Sequence, residues 1–390
     1  MKIKFWGVRG SIPTPYKTHL KYGGNTPCVE IEGDFGEMII LDAGTGIRKL
    51  GHEIMEKYKN GGKINIILTH THWDHIQGLP FFPPIFSPKF HITFYGAFRK
   101  EGALRSILEG QMLSPYFPVS FDFTKATKEF IEVFEDDIFH IGGITISTKL
   151  LEHPNGCLGY RLEVGGKSIC YCIDNEIYSI NKIPDNVLML SYNADYLIFD
   201  AQYTEEEYKT KTGWGHSTIK KAIEVAKLSK AKNLILFHHD PDHDDKFLDA
   251  QLNEAKKLFE NIYMAREGLC IDIEIPQHEI RKTKELLLRK FEEYFKKEDD
   301  KLYIFFPKYL NFENYTTFKA KVVNFITDRI KEVILDFKFT EYIDSNGIAL
   351  IVNIYKHCNY KNKELKAINM NHSIREIFNI TKLNTLVKVI

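Results

Sequence analysis

The sequence lacks the features that would place it in a membrane or in a disulfide-stabilised class. No apolar run approaches 18 residues, so no transmembrane helix and no membrane partner are predicted. The six cysteines are scattered, and the one close pair, Cys170 and Cys172, is spaced unlike a zinc knuckle, which predicts reduced and mostly buried thiols. There is also no internal repeat, no low-complexity stretch and no apolar targeting segment after Met1. We therefore expect a globular protein of the cytoplasm.

An excess of charge of either sign is also lacking. The chain has 52 basic and 52 acidic residues, so composition gives no general argument for nucleic acid or an anionic membrane as a partner. The distribution is uneven, because residues 301–390 hold 14 basic and 8 acidic residues, whereas residues 1–300 hold 38 basic and 44 acidic ones. The first 300 residues are thus mildly acidic, with a net charge of −6.

The length of 390 residues and the 44% hydrophobic content suffice for two cores. Short β-branched runs bounded by turn residues are typical of buried strands, and they occur at 37–42, 64–69, 144–148, 168–173, 196–199 and 233–237. Between the last two runs, a helical pattern extends to Leu228 and can be capped by Ser217 or Thr218. We expect a layered α/β domain at 1–280, a charged helical linker at 281–300 and a second domain at 301–390. The aromatic segment 81–130 could be a lid, the surface of a homodimer or part of the core, and the core or self-association is expected first.

The strongest motif is His70-Thr-His72-Trp-Asp74-His75, which directly follows a predicted strand. Side chains two residues apart in an extended chain point to the same side, so His70 and His72 can bind one cation. Asp74 and His75, where the chain turns, can then face a second cation. Imidazole and carboxylate ligands favour zinc, with manganese or iron as alternatives.

A pair of metal ions needs further ligands at the ends of later strands. His153, Asp174 and His238 each follow an apolar run that predicts a strand. Each of these residues alone would more often be a core or surface residue. Their occurrence in this order, after the His70 motif, predicts a site for two divalent ions.

This pattern resembles that of the metallo-β-lactamase fold hydrolases. The resemblance implies an αββα sandwich with the metals at one edge of the paired sheets. It divides the seven expected ligands between two metals: His70, His72 and His153 for the first, Asp74, His75 and His238 for the second, and Asp174 as the bridge. His239 is the alternative last ligand, but His238 is preferred because it directly follows the apolar strand.

Two further segments resemble the phosphodiesterase branch of that superfamily, which includes ribonuclease Z and cyclic-phosphate phosphodiesterases. These are Asp200-Ala-Gln-Tyr-Thr and Gly-Trp-Gly-His216-Ser-Thr. In that branch an acidic residue orients the histidine, so the resemblance implies that Asp200 holds His216 and that Asp74, Asp200 and His216 are catalytic. Aspartate stands here where the ribonuclease has glutamate, which makes the geometry of the pair less certain, and the alternative is that His216 only caps a helix. The loop from Leu41 to Gly46 also resembles this branch's loop beneath the metal site. A structural role is expected first for its Asp42, with support of a metal ligand as the alternative.

Hydrolysis of a phosphodiester needs a hydroxide on one side and charge neutralisation or a proton at the leaving oxygen, which a metal pair and His216 could supply. A transfer-RNA substrate is disfavoured, because the sequence lacks a basic, glycine-rich arm and its first 300 residues are net negative. A small phosphodiester such as a cyclic nucleotide fits better. The alternatives are a thioesterase or lactonase, which would not need His216, and a signalling adaptor whose metal fold has become a sensor. A diiron oxygen chemistry would typically have glutamate in place of His72.

Residues 301–390 alternate strands and helices, with strands predicted at 302–306, 332–337 and 365–369 and helices at 315–330, 347–357 and 373–378. The run Val333-Ile-Leu-Asp336, followed by Ile343-Asp-Ser345-Asn346-Gly, resembles the STAS domain of anti-sigma-factor antagonists. The resemblance implies a protein partner, such as a kinase or an anti-sigma-type protein, and regulatory phosphorylation of Ser345 at a helix start. Asn346 replaces a second serine of the usual pattern, so Ser345 as a plain helix cap is the alternative.

Overall fold

A computed structural model describes residues 1–98, 102–283, 294–310, 322, 325–327 and 329–390. Its contacts divide the chain into two units, Met1–Arg281 and Lys282–Ile390. Among the described residues, no helix has both the length and the apolar character needed to cross a membrane.

Two seven-stranded sheets form the centre of the first unit. The first sheet contains β1 (Lys2–Gly7), β2 (Cys28–Glu32), β3 (Met38–Leu41), β4 (Gly62–Ile67), β5 (Phe90–Ala97), β6 (Thr127–Val133) and β14 (Cys270–Asp272). Its spatial order is β14-β1-β2-β3-β4-β5-β6, with β3 to β6 parallel to one another. The carboxyl ends of β3 and β4 therefore meet at one edge of the sheet.

The second sheet contains β7 (Ile138–Ile141), β8 (Ile144–Leu151), β9 (Cys157–Val164), β10 (Lys167–Cys172), β11 (Tyr196–Asp200), β12 (Leu234–Phe237) and β13 (Ile262–Met264). They are ordered β13-β12-β11-β10-β9-β8-β7, and β10 to β13 are parallel. Their carboxyl ends are thus adjacent. The six strands predicted in this part of the sequence are present as β3, β4, β8, β10, β11 and β12.

The inner faces of the two sheets pack on each other through one apolar core, which includes Phe5, Ile39, Tyr160, Tyr171 and Phe237. The helices of this unit are α1 (Ile47–Lys57), α2 (Trp73–Ile76), α3 (Leu104–Gly110), α4 (Asp185–Ser191), α5 (Glu205–Lys211), α6 (Ile219–Leu228) and α7 (Asp245–Lys256). Separate apolar clusters lie under α1 on the first sheet and under α4, α6 and α7 on the second. The predicted αββα sandwich is confirmed.

Local details follow the sequence closely. Helix α6 buries Ala222, Ile223 and Ala226, and the Thr218 side chain caps it by accepting a hydrogen bond from the Lys221 amide, so Thr218 rather than Ser217 is the cap. Much of the aromatic segment 81–130 lies in the core, and its described part includes buried Phe82, Ile85, Phe90, Phe94 and Phe121. All six cysteines are free thiols, and only Cys270 among them is exposed.

The second unit is a small α/β domain around a sheet whose strands are parallel except at one edge. Its strands are β15 (Phe295–Glu298), β16 (Lys301–Phe305), β17 (Tyr309–Leu310), β18 (Glu332–Asp336), β19 (Tyr342–Ile343), β20 (Glu364–Ile368) and β21 (Lys388–Val389). The main sheet is ordered β15-β16-β18-β20-β21, and β17 pairs with β19. Two helices are described, α8 (Ser345–Tyr360) and α9 (His372–Ile380). The predicted helix at 315–330 lies largely outside the described residues.

One part of the predicted linker differs. The charged stretch up to residue 300 was expected to be helical, but Phe295–Glu298 forms strand β15, antiparallel to β16. Phe295 is buried in the core of this unit, while Lys296, Lys297 and Glu298 are exposed. Charged side chains are common on edge strands because they discourage further strand pairing, and here they obscure the β pattern.

Candidate metal centre

The first group of predicted ligands converges where β4 and β8 end. His70 and His72 lie on the extended segment after β4, and His153 lies after β8. Nδ1 of His72 is 3.0 Å from Nε2 of His153. The Asp174 carboxylate, just after β10, places Oδ2 3.6 Å from Nε2 of His70 and 3.5 Å from Nε2 of His153. These four side chains enclose one pocket of metal-ligand size.

The second group lies next to the first. Asp74 and His75 are carried by α2, and His238 follows β12. Nε2 of His75 is 3.3 Å from Oδ2 of Asp74, and Nε2 of His238 is 3.3 Å from the same oxygen. Oδ1 of Asp174 lies 3.3 Å from Nε2 of His75 and 3.2 Å from Nε2 of His238. Asp174 therefore turns one oxygen toward each group.

The residues fit a pair of divalent cations. Nε2 of His70, Nε2 of His75 and Oδ1 of Asp174 are buried without a hydrogen-bond partner. Orphaned buried polar atoms are costly unless something satisfies them, and all three point into the two pockets. Imidazole nitrogens and carboxylate oxygens are the donor set of zinc and similar ions.

The charges around the second pocket also suit a cation. Burial lowers the pKa of His75, but the Asp174, Asp74 and Asp42 carboxylates more than offset it and hold this pKa well above its usual value. Conversely, the pKa of Asp74 is held well below its usual value by His75 and His238, against the effect of burial. The pocket therefore combines ionised carboxylates with an imidazole under strong negative potential, which a divalent cation would neutralise.

Asp42 fixes the ring of His75 from behind. Nδ1 of His75 donates to Oδ2 of Asp42 at 3.0 Å, and Tyr171 donates its hydroxyl proton to the same oxygen at 3.1 Å. The amide of Thr69 donates to the other oxygen at 2.8 Å. Such a carboxylate behind a ligand histidine sets its tautomer and orientation. The sequence favours a structural role for Asp42 and offers support of the metal site as the alternative, and the hydrogen bond to His75 agrees with that alternative.

The sequence analysis did not identify three residues that support the candidate ligands. Nδ1 of His238 donates to the side-chain oxygen of Gln202 at 3.0 Å, which leaves Nε2 facing the metal pocket. Nδ1 of His153 donates to the carbonyl oxygen of Gly215 at 2.9 Å. The amide of Gly215 in turn donates to the buried Glu176 carboxylate at 2.8 Å. Glu176 follows the strand-end Asp174 by two residues, but nothing in the sequence shows that it reaches the Gly215 loop.

Asp200 and His216 form the predicted pair. Nδ1 of His216 donates to Oδ2 of Asp200 at 2.8 Å, and both side chains are buried. Asp200 is held in turn by the amide of Ser217 at 3.0 Å. The imidazole of His216 stacks on that of His238, with ring centroids 4.9 Å apart. Burial lowers the pKa of His216, but the Asp200 carboxylate outweighs it and raises this pKa to about 9.

His239 lies away from the pockets. Its Nε2 donates to the carbonyl oxygen of Ala265 at 2.8 Å, and its ring packs edge-on against Tyr22. Burial, followed by the nearby charge of Arg9, lowers the pKa of His239 to about 3, so the ring is neutral. Of the two adjacent histidines, His238 is therefore the one whose side chain joins the candidate ligands.

Comparisons with known proteins agree with this geometry. Residues 37–239, more than half of the chain, match the family described as "Beta-lactamase superfamily domain", and residues 295–390 match the STAS domain. Ribonuclease Z of Picrophilus torridus is 26% identical over 309 residues, which covers 70% of this chain and 96% of that protein. Ribonuclease BN of Proteus mirabilis is 22% identical over 316 residues, which covers 68% of this chain and 98% of that protein.

Two solved structures share the fold of the first unit. The metallo-beta-lactamase fold protein YhfI of Bacillus subtilis matches with a TM-score of 0.52 and 19% identity, over 70% of this chain and 99% of that one. A diphosphatase from the PhnP family matches with a TM-score of 0.51 and 21% identity, over 70% and 98% respectively. The family match over more than half of the chain shows that the chain belongs to the beta-lactamase superfamily. It is a metal-dependent hydrolase of that fold joined to a C-terminal STAS domain.

Proposed function

We propose that the first unit is a dinuclear metal phosphodiesterase that acts on a small or cyclic phosphodiester such as a cyclic nucleotide. The observation that carries this proposal is the Asp200–His216 pair, which lies against His238 at the edge of the metal pockets. A thioesterase or lactonase needs no such histidine, whereas hydrolysis of a phosphodiester requires charge neutralisation or a proton at the leaving oxygen. The resemblance of these two segments to the phosphodiesterase branch supports the same substrate class.

The residues divide the work as follows. His70, His72, His153, Asp74, His75, His238 and the bridging Asp174 would hold two divalent ions, with zinc favoured over manganese or iron. Such a pair activates water and neutralises charge on a phosphoryl oxygen. Asp200 keeps the Nδ1–H of His216 occupied, so the Nε2–H is left to face the substrate. His216 would then stabilise a phosphoryl oxygen or protonate the leaving oxygen.

A small substrate is favoured over RNA by what the chain leaves out. The sequence lacks a basic, glycine-rich arm of the kind that ribonuclease Z uses to bind transfer RNA. Residues 1–300 also carry a net charge of −6. Because the relatives are named ribonucleases, RNA is the second candidate substrate.

The test combines metal analysis with turnover. Purified protein should contain about two metal ions per chain and hydrolyse bis(p-nitrophenyl) phosphate and at least one cyclic nucleotide. His216→Ala should lose at least a hundredfold in kcat while keeping its metals, since general acid–base catalysis contributes about that much. His243→Ala is the matched control, because Nε2 of the buried His243 donates to the partly exposed Glu207 at 2.8 Å, in another histidine–carboxylate pair outside the ligand group.

The outcomes separate the alternatives. Metals without turnover of any phosphodiester would refute the phosphodiesterase and favour a thioesterase or lactonase. Cleavage of a precursor transfer RNA with no activity on small phosphodiesters would favour the ribonuclease. A chain that binds no metal would make the signalling adaptor the better account.

For the second unit, we propose that the STAS domain binds a protein partner, a kinase or an anti-sigma-type protein, and that Ser345 is phosphorylated. The supporting observation is that α8 begins at Ser345, whose side chain lies outside the described residues. A phosphate at a helix start is stabilised by the helix dipole and adds close to two negative charges. Phosphopeptide mass spectrometry of the chain from its native cells tests this, and an unmodified Ser345 under every growth condition would refute it.

A further inference from the structure

The chain contains three tryptophans, and two of them are exposed in the first unit. Trp6 is 3% exposed and its indole nitrogen donates to Glu30 at 2.9 Å. Trp73 is 78% exposed and Trp214 is 61% exposed. Leaving an indole in water forgoes the large gain from burying it, so two exposed tryptophans call for a reason.

Both exposed tryptophans are sequence neighbours of residues at the same metal pocket. Trp73 directly follows the candidate ligand His72 in the chain. Trp214 directly precedes Gly215, whose carbonyl oxygen receives the hydrogen bond from Nδ1 of His153. Nε2 of His153 lies 3.0 Å from Nδ1 of His72. Trp73 is therefore adjacent in sequence to one member of this histidine pair, and Trp214 is adjacent to the glycine that the other member contacts.

The backbone that presents Trp214 is fixed although its ring is exposed. Gly213 and Gly215, on either side, have φ values of 87° and 89°, and both of their amides donate to Glu176 at 2.8 Å. A Cβ at Gly215 would lie 2.2 Å from Nδ1 of His153, so this close approach requires glycine. The tight turn therefore sets Trp214 beside the pocket while its indole remains available.

We infer that Trp73 and Trp214 form a subsite for a flat aromatic group of the substrate, and that this group is a nucleobase. The inference rests on the proposed phosphodiesterase function, which places the phosphate at the metals and the rest of the substrate at the mouth of the pocket. Stacking on an indole suits any base, because every base has a π-face, and it is worth about 1–3 kcal/mol per base, or roughly fivefold to a hundredfold in affinity. The substrate class is thus a nucleotide phosphodiester rather than an alkyl or sugar one.

A matched pair of substrates tests the subsite. Thymidine 5′-(p-nitrophenyl phosphate) and methyl p-nitrophenyl phosphate break the same bond, but only the first carries a base. We expect the wild-type enzyme to prefer the first in kcat/KM, and Trp73→Ala and Trp214→Ala each to reduce that ratio by roughly fivefold to a hundredfold. Phe123→Ala, which removes a 68% exposed aromatic residue elsewhere in the unit, should leave the ratio unchanged.

A binding measurement keeps this inference separate from the proposed function. Adenosine 5′-monophosphate should quench the indole fluorescence of the wild-type protein, and ribose 5-phosphate should not, whether or not any phosphodiester is hydrolysed. Weaker binding of adenosine 5′-monophosphate by Trp73→Ala and Trp214→Ala in isothermal titration calorimetry, with the binding of ribose 5-phosphate unchanged, supports the subsite even if the enzyme proves to have another substrate. If the wild-type enzyme has equal kcat/KM for the two p-nitrophenyl substrates and adenosine 5′-monophosphate causes no quenching, the inference is overturned.

Two other results would also overturn the inference. If both variants slow the two substrates equally, the tryptophans act only on the metal pocket. If either variant abolishes self-association in sedimentation experiments and leaves the substrate ratio unchanged, the indoles bind a second copy of the chain instead of a base.

Discussion

Glu176 should control the loop that holds His153 and His216. Its carboxylate is 1% exposed and accepts three hydrogen bonds, from the hydroxyl of Tyr208 at 2.6 Å and from the amides of Gly213 and Gly215 at 2.8 Å. In Glu176→Gln, the amide nitrogen must replace one of these oxygens. That nitrogen would face a backbone N–H, so at least one donor of the loop loses its acceptor.

The magnitude follows from the kind of bond that is lost. A hydrogen bond to a buried charged group is worth about 1.5–3 kcal/mol, so we expect Glu176→Gln to lower the free energy of unfolding by about 2 kcal/mol. Changes behind a metal ligand typically cost about tenfold to a hundredfold in activity or metal affinity, and kcat should fall by that factor because Gly215 orients His153. Urea denaturation, metal analysis and turnover of bis(p-nitrophenyl) phosphate measure the three effects.

Tyr208→Phe is the matched control for this change. It removes one of the three hydrogen bonds to Glu176 but leaves both glycine amides bound. Because this bond ends on the same buried carboxylate, we expect a similar loss of about 2 kcal/mol in stability, with kcat within twofold of the wild type. The reasoning is refuted if Glu176→Gln keeps wild-type kcat and metal content, or if Tyr208→Phe is as inactive as Glu176→Gln.

Further predictions concern the metal support, a buried lysine and the STAS unit. Asp42→Asn should weaken metal retention by about tenfold to a hundredfold in competition with a chelator, because the ring of His75 loses its partner, and unchanged retention would contradict this. Burial lowers the pKa of Lys221 to about 8, below its ordinary value of 10.5, so the unfolded chain binds more protons between these pH values and the free energy of unfolding should rise with pH across that window. Lys221→Met should flatten this rise in urea denaturation at pH 8 and pH 10, and equal slopes would refute it. Asp344→Ala should destabilise the second unit by about 1 kcal/mol in thermal unfolding, since its carboxylate caps the first turn of α8, and an unchanged midpoint would count against that cap.

The candidate ligands could be predicted because the information is local. His70, His72, Asp74 and His75 lie within six residues, and the turn of the chain after β4 alone decides which side each faces. His153, Asp174 and His238 were found by a second local rule, that ligands follow strands whose carboxyl ends meet. The structure then brings them together because β10, β11 and β12 are parallel neighbours, and because β8, which is antiparallel to β9 as β9 is to β10, ends at the same edge of the sheet.

The supporting contacts could not be predicted, because they join segments that are far apart in sequence. Glu176 reaches Gly215 across 39 residues, and Gln202 reaches His238 across 36. Neither residue type at these positions has a spacing that points to its partner. Strand β15 was missed for another reason: only Phe295 of its four residues is buried, so its β pattern is a single apolar residue among charges.

The origin of the ligands links the site to the fold as a whole. His70 and the α2 residues follow the first sheet, whereas His153, Asp174 and His238 follow strands of the second. Asp174, the candidate bridge, contacts candidate ligands from both sheets, and Asp42 at the end of β3 receives a hydrogen bond from Tyr171 of the second sheet. The two pockets therefore exist only when the inner faces of the sheets are packed in register. It follows that a substitution in the shared core, at Phe5 or Phe237 for example, can impair metal binding without touching a ligand, and that ions bound across this edge would stabilise the packed sandwich in proportion to their affinity.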